Sequence, residues 1–136
     1  MGVTIETISP GDGKNFPKKG DEVAFRYVAT FLTVGRNDWI GGGNPQPGDR
    51  FDSSRDRQGD RPEAYVIGTA PLYGLRGWDE GFPQLSLGEK ALLDITSDYA
   101  FGHDGRAPII PPDSDVRYEV ELVDIKSRGQ WLLHGR

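Results

Sequence analysis

At 136 residues and a net charge of −5, the chain has room for one domain with a proper core, and its acidic balance argues against a nucleic-acid-binding surface. The absence of cysteine excludes disulfides and thiolate metal sites and permits a reducing, cytoplasmic location. No apolar run approaches the ~20 residues that span a bilayer, and the 19 glycines and 10 prolines favour short strands and turns over a helical bundle.

In chain order, Val3, Ile5 and Thr7 alternate with polar residues, so 3–8 reads as a strand, broken at Pro10-Gly11-Asp12-Gly13. In 22–32, EVAFRYVATFL, one face carries Val23, Phe25, Tyr27, Ala29 and Phe31, the pattern of a half-buried strand. Residues 33–50, TVGRNDWIGGGNPQPGDR, have no period and form a long loop, with Trp39-Ile40 as an exposed pair or an anchor. A short strand is expected at 63–67. Leu75, Trp78, Phe82 and Leu85 have helical spacing, and Gly81 and Pro83 keep that helix short. Strands follow at 89–96 and 115–125. The stretch between them, SDYAFGHDGRAPIIPP, is polar at one end and apolar at the other. The tail, SRGQWLLHGR, docks on the body or frays. Together these elements predict an α+β arrangement of about five antiparallel strands around one short helix.

Phosphate-loop, dinucleotide and nucleophile-elbow motifs are missing, and His103 and His134 lack metal-ligand spacing. Asp52, Asp56, Asp60 and Glu63 lie among Arg55, Arg57 and Arg61, ordinarily a solvated surface of mixed sign. If Asp52 enters an apolar pocket it needs a partner, and Arg57 is the candidate. Tyr27, Phe51, Trp78, Phe101 and Tyr118 come from five separate elements. The pattern leaves open whether they form an ordinary aromatic core or a concave pocket.

Four stretches, GVTIETISPGDGKNFPKKGD, FDSSRDR, RGWDEGFPQLSLGEKALLDITSDYAFG and IIPP, closely resemble the FKBP family of tacrolimus- and rapamycin-binding peptidyl-prolyl isomerases. The likeness runs from about residue 2 to 125. It implies a five-stranded antiparallel sheet wrapped on a short helix, with a pocket between them and 97–112 as its lip. It implies a single domain over 1–126, with an inserted loop at 33–50 and a tail at 127–136. Carried over by residue, the catalytic pocket would comprise Tyr27, Phe51, Asp52, Trp78, Phe101 and Tyr118, with Trp78 as its floor. Arg57, Glu63, Leu75, Ile109 and Ile110 would bind ligand. Asp52 would be held by Arg57 and the Tyr27 hydroxyl, and the Leu75 N–H would meet a ligand carbonyl. The resemblance implies no metal and no cofactor. Expected partners are proline-containing peptides or proteins and macrolides of the tacrolimus type, met by a cytoplasmic monomer with no nucleic acid or membrane.

The sequence departs from the family around one rim. Phe101 stands where the family has tyrosine, Glu63 where it has an aromatic, and Arg106 where a histidine is common. The turn GTAPLYGLRGW is about two residues longer than usual, and the insertion sits just before Phe51-Asp52. These changes keep two alternatives beside the isomerase: an FKBP-fold binding module, and a recruited small-molecule enzyme with weak isomerase activity.

Overall fold

The computed structural model describes residues 2–35 and 44–127. Trp39-Ile40 and the Trp131-Leu133 tail fall outside them. Among the described residues, six strand segments, β1 (Val3–Ser9), β2 (Glu22–Phe31), β3 (Arg50–Ser53), β4 (Glu63–Val66), β5 (Lys90–Ile95) and β6 (Val116–Lys126), form one antiparallel sheet with a single α-helix, α1 (Arg76–Gly81). The order is β1-β5-β6-β2-β3, and β4 also pairs with β2. Residues 28–30 of β2 meet β3 and residues 22–25 meet β4. The two short strands therefore share one edge position, split by the 54–60 excursion. Six segments fill five lanes, which accommodates the five-stranded expectation.

Alternation explains the sheet. Val23, Phe25, Tyr27, Ala29 and Phe31 of β2 all point inward and are buried, as are Val116, Tyr118, Val120 and Leu122 of β6. The two strands pair along their length, with a bulge where Val123 is passed over between the Ala24–Asp124 and Phe25–Leu122 partners. Such a bulge bends and twists the strand, which helps the sheet to wrap.

The helix ends at Gly81, and Phe82–Gln84 continue as a single 3₁₀ turn with Pro83 near its start. Gly77 is what lets α1 lie so close to β5: a Cβ there would stand 2.6 Å from the Ile95 side chain. Phe82 and Leu85 close the core below the helix, fully buried. Phe25 sits at the centre of this packing, its ring 4.7 Å from Phe82, 5.4 Å from Trp78 and 5.6 Å from Tyr27.

Candidate active site

The inward face of β2 and β6 and the start of α1 converge on one aromatic cluster. Tyr118 is its hub. Its ring lies 5.4 Å from Trp78 and 6.1 Å from Phe51, both edge-on, and 5.6 Å from Tyr27. Phe51 continues the wall to Phe101 at 6.0 Å and is backed by Phe31 at 4.8 Å. Thus the five aromatics named from the sequence come together, although they span residues 27 to 118. Edge-to-face pairs of this kind add about 0.5–1.5 kcal/mol each beyond their buried area. Trp78 also meets Phe25 and Tyr65, and its indole N–H is buried without a partner among the described residues.

The polar wall is small. The Tyr27 hydroxyl donates to Asp52 Oδ2 at 2.8 Å. Burial, and then this hydrogen bond, push the Tyr27 hydroxyl pKa well above its ordinary value, so it remains a donor. The expected Asp52–Arg57 pair is corrected: the Arg57 guanidinium is paired with Glu63, both side chains partly exposed. Desolvation opposes the Arg57 charge, but the Glu63 hydrogen bond and its negative charge outweigh it and hold the guanidinium more firmly protonated. Asp52 adds only a smaller, longer-range attraction. The reason lies in the 54–60 excursion. Tyr27 N–H donates to Ser54 Oγ at 3.1 Å, and Ser54 Oγ donates to Asp60 Oδ1 at 2.6 Å. These contacts fold the segment back on β2, and Arg57 reaches Glu63 where β4 begins. Glu63, which stands where the family has an aromatic, is therefore neutralised locally.

Leu75 is the N-cap of α1 with an extended backbone and a buried side chain. Among the described residues its N–H meets no acceptor. The 97–112 stretch folds on itself through reciprocal bonds between Arg106 and Ile110, N–H to O at 2.7 and 2.8 Å. Its mixed composition follows from this. Ile110 is in the core at 3% exposure, whereas Ile109 faces water at 53%. The Arg106 guanidinium lies over the Phe101 ring at 5.8 Å, a cation–π contact on the rim.

One residue of the neighbourhood escapes sequence reasoning. Asp79, next to Trp78 on α1, accepts from the Tyr65 hydroxyl, from Gly68 N–H at 2.7 Å and from Ala70 N–H at 3.3 Å. It ties the long strand-to-helix turn to the helix that bears Trp78. Gly74 completes the fit, since a Cβ there would fall 2.3 Å from the Tyr65 ring. Nothing local signals this role, because its partners lie 9 to 14 positions away.

Comparison with known proteins agrees with this architecture. The model of the FKBP-type peptidyl-prolyl cis-trans isomerase domain matches residues 13–123. FK506-binding protein 1A of Emericella nidulans is 46% identical over 125 residues, covering 92% of this chain and 99% of the relative. FK506-binding protein 1 of Rhizopus delemar is 48% identical with the same coverage, and the peptidyl-prolyl cis-trans isomerase FKBP1A of Xenopus laevis is 40% identical over 93% of this chain and 100% of its own. The crystal structure of FkpA from Escherichia coli superposes with a TM-score of 0.71 at 27% identity, over 92% of this chain and 48% of FkpA. The chain belongs to the FKBP-type peptidyl-prolyl cis-trans isomerase family.

Proposed function

We propose that the protein is a peptidyl-prolyl cis–trans isomerase and that the cluster floored by Trp78 is its active site. Family membership supports the activity over the alternatives of a pure binding module or a recruited small-molecule enzyme. One observation carries the site assignment: the Trp78, Tyr118, Phe51 and Phe101 rings form a continuous wall beside a single Tyr27–Asp52 hydrogen bond.

Such a wall suits the reaction. The peptide-bond barrier is about 18–20 kcal/mol, and it arises from amide resonance. Twisting the X-Pro bond removes that resonance without breaking a bond, so no nucleophile is needed. The twisted amide carries less charge separation than the planar one, and an apolar surround favours it relative to water. Each ~1.4 kcal/mol of preference for the twisted form is tenfold in rate. Trp78, Tyr118, Phe51 and Ile110 supply the apolar surround, and the Leu75 N–H holds a substrate carbonyl. The Tyr27–Asp52 pair is a polar edge, with Asp52 kept as an acceptor and not used as a base. Arg57, Glu63 and Ile109 frame the mouth.

Binding of tacrolimus-type macrolides to the same pocket belongs to this reading, since several relatives are named for FK506 binding. So do proline-containing protein clients and a monomeric protein in the cytoplasm. No helix among the described residues is long and apolar enough to cross a membrane. Exchange spectroscopy on a Leu-Pro peptide, with and without tacrolimus, tests the reading. Fast exchange blocked by the drug is the expected result. Exchange no faster than that of the free peptide would reject it.

A further inference from the structure

Beside the aromatic wall lies a second cleft, of about 410 Å³, bounded by two loops and an edge strand. Phe31 and Phe51 line it from the sheet, Pro45 from the loop that precedes β3, and Pro108 and Ile109 from the 97–112 lip. The loop that walls it is well tied. Gly48 N–H donates to Phe31 O at 2.7 Å, Phe31 N–H to Asp49 O at 3.0 Å, and Asp49 Oδ2 accepts from Gln46 N–H at 2.9 Å. Gly48 has φ +91°, the left-handed turn that glycine supplies without strain. The charges at the opening are already engaged: Asp49 holds its own turn, and Arg50 lies 3.4 Å from Asp56. Among the described residues, what remains is apolar surface, above all the half-exposed Ile109.

We propose that this cleft is an accessory subsite for an apolar, preferably aromatic, side chain of the client polypeptide that flanks the X-Pro pair. The proposal rests on the isomerase reading of the neighbouring pocket and extends it. Continuity carries it, because the Phe51 ring packs on Phe101 and Tyr118 and also lines the cleft. An extended peptide advances about 3.3 Å per residue. From Trp78 through Tyr118 to Phe51 the rings are spaced 5.4 and 6.1 Å, a span of about two to four extended residues. A client seated on Trp78 then delivers a flanking side chain over Phe51 into the cleft. The volume is ample for one aromatic side chain, and among the described residues the lining offers no unengaged charge to pair with an acidic or basic one. Selectivity of this kind arises from residues 44–50, part of the segment that the resemblance marks as inserted.

The test uses the whole protein, isotope-labelled, and three blocked peptides built around Ala-Leu-Pro-Ala. One has only alanine flanks, one a phenylalanine before the core sequence, and one a phenylalanine after it. One of the two phenylalanine peptides is expected to bind about fivefold more tightly than the alanine peptide, the gain from partial burial of one ring. It is also expected to shift the amides of Asn44, Asp49 and Arg50. Pro45→Glu should erase that preference while isomerising the alanine peptide at the wild-type rate; Pro45→Ser gives the same comparison without a charge. Equal affinity for all three peptides, or a preference that survives both substitutions, would overturn the subsite. Absence of isomerisation with every peptide removes the isomerase reading instead, and the amide shifts then decide the cleft alone: present they support it, absent they overturn it.

Discussion

At the scale of single residues, the site is an aromatic frame with one position left without its polar end. Phe101 closes the ring series at 6.0 Å from Phe51 under the Arg106 guanidinium, and it has no hydroxyl to offer a bound carbonyl. Phe101→Tyr should restore one hydrogen bond of about 0.5–1.5 kcal/mol. The expected outcome is a two- to tenfold gain in tacrolimus affinity by calorimetry, roughly that energy converted. No gain would mean that the rim directs the new hydroxyl away from the ligand. The Arg57–Glu63 pair belongs to the same scale and is worth less. Both side chains are about one-third exposed, at 35% and 31%, so solvent screens them. Glu63→Gln should cost less than about 1 kcal/mol in urea unfolding and leave the isomerisation rate within about twofold, since neither group acts on the twisting bond. A tenfold loss of rate would show that the pair positions substrate.

Between elements, the decisive contact is the one that Asp79 makes across from α1 to β4 and the turn after it. Its carboxylate gathers three donors, the Tyr65 hydroxyl and the Gly68 and Ala70 N–H groups. Asp79→Ala leaves all three seeking water and should cost about 2–4 kcal/mol, whereas Tyr65→Phe removes one and should cost about 1–2 kcal/mol. Urea unfolding measures both. Because the turn leads straight into Leu75, Asp79→Ala should also raise KM more than it lowers kcat; an unchanged KM would confine Asp79 to stability. This contact also marks how far the elements could be read from sequence. β2 and β6 were legible because β2 alternates over ten residues and β6 from Val116 to Leu122, and period two is informative at that length. The helix was legible in Leu75, Trp78, Phe82 and Leu85, and its end in Gly81 and Pro83. By contrast, β3 and β4 have four residues each, too few to reveal that they share one lane. Arg57 was assigned to the wrong carboxylate for the same reason. A buried Asp52 called for a cationic partner, but the path of 54–60 is set by Ser54 bonding to Tyr27, 27 positions earlier. The candidate aromatics were nameable, whereas their convergence on Tyr118 depends on strand order, which no local pattern carries.

At the scale of the whole molecule, the core that builds the pocket also ties stability to alkaline pH. Tyr27, Tyr65 and Tyr118 lie on β2, β4 and β6, and each is buried. Desolvation is the largest cause that raises each hydroxyl pKa far above the ordinary value. The second cause is the Asp52 hydrogen bond for Tyr27, the Asp79 hydrogen bond for Tyr65 and the Asp52 charge for Tyr118. In the unfolded chain these groups ionise near pH 10. Above that pH the unfolded state therefore holds fewer protons than the folded one, so stability falls as pH rises. Below pH 10 both states are protonated and the contribution is whole. Each group costs about 1.4 kcal/mol per pH unit once its unfolded form ionises, so three together remove about 4 kcal/mol per unit. Against a total of about 5–15 kcal/mol, that predicts cooperative unfolding within a few pH units above 10, with no tyrosine-linked loss between pH 6 and 9. Phenolate absorbance and far-ultraviolet circular dichroism, followed together, provide the measurement. The phenolate signal of these three tyrosines should rise only as the dichroism collapses, and Tyr27→Phe should move the transition to higher pH relative to its own neutral-pH stability. Three phenolates forming near pH 10 in a still-folded protein would mean that water reaches the rings, and the dry pocket on which the isomerase chemistry depends would go with them.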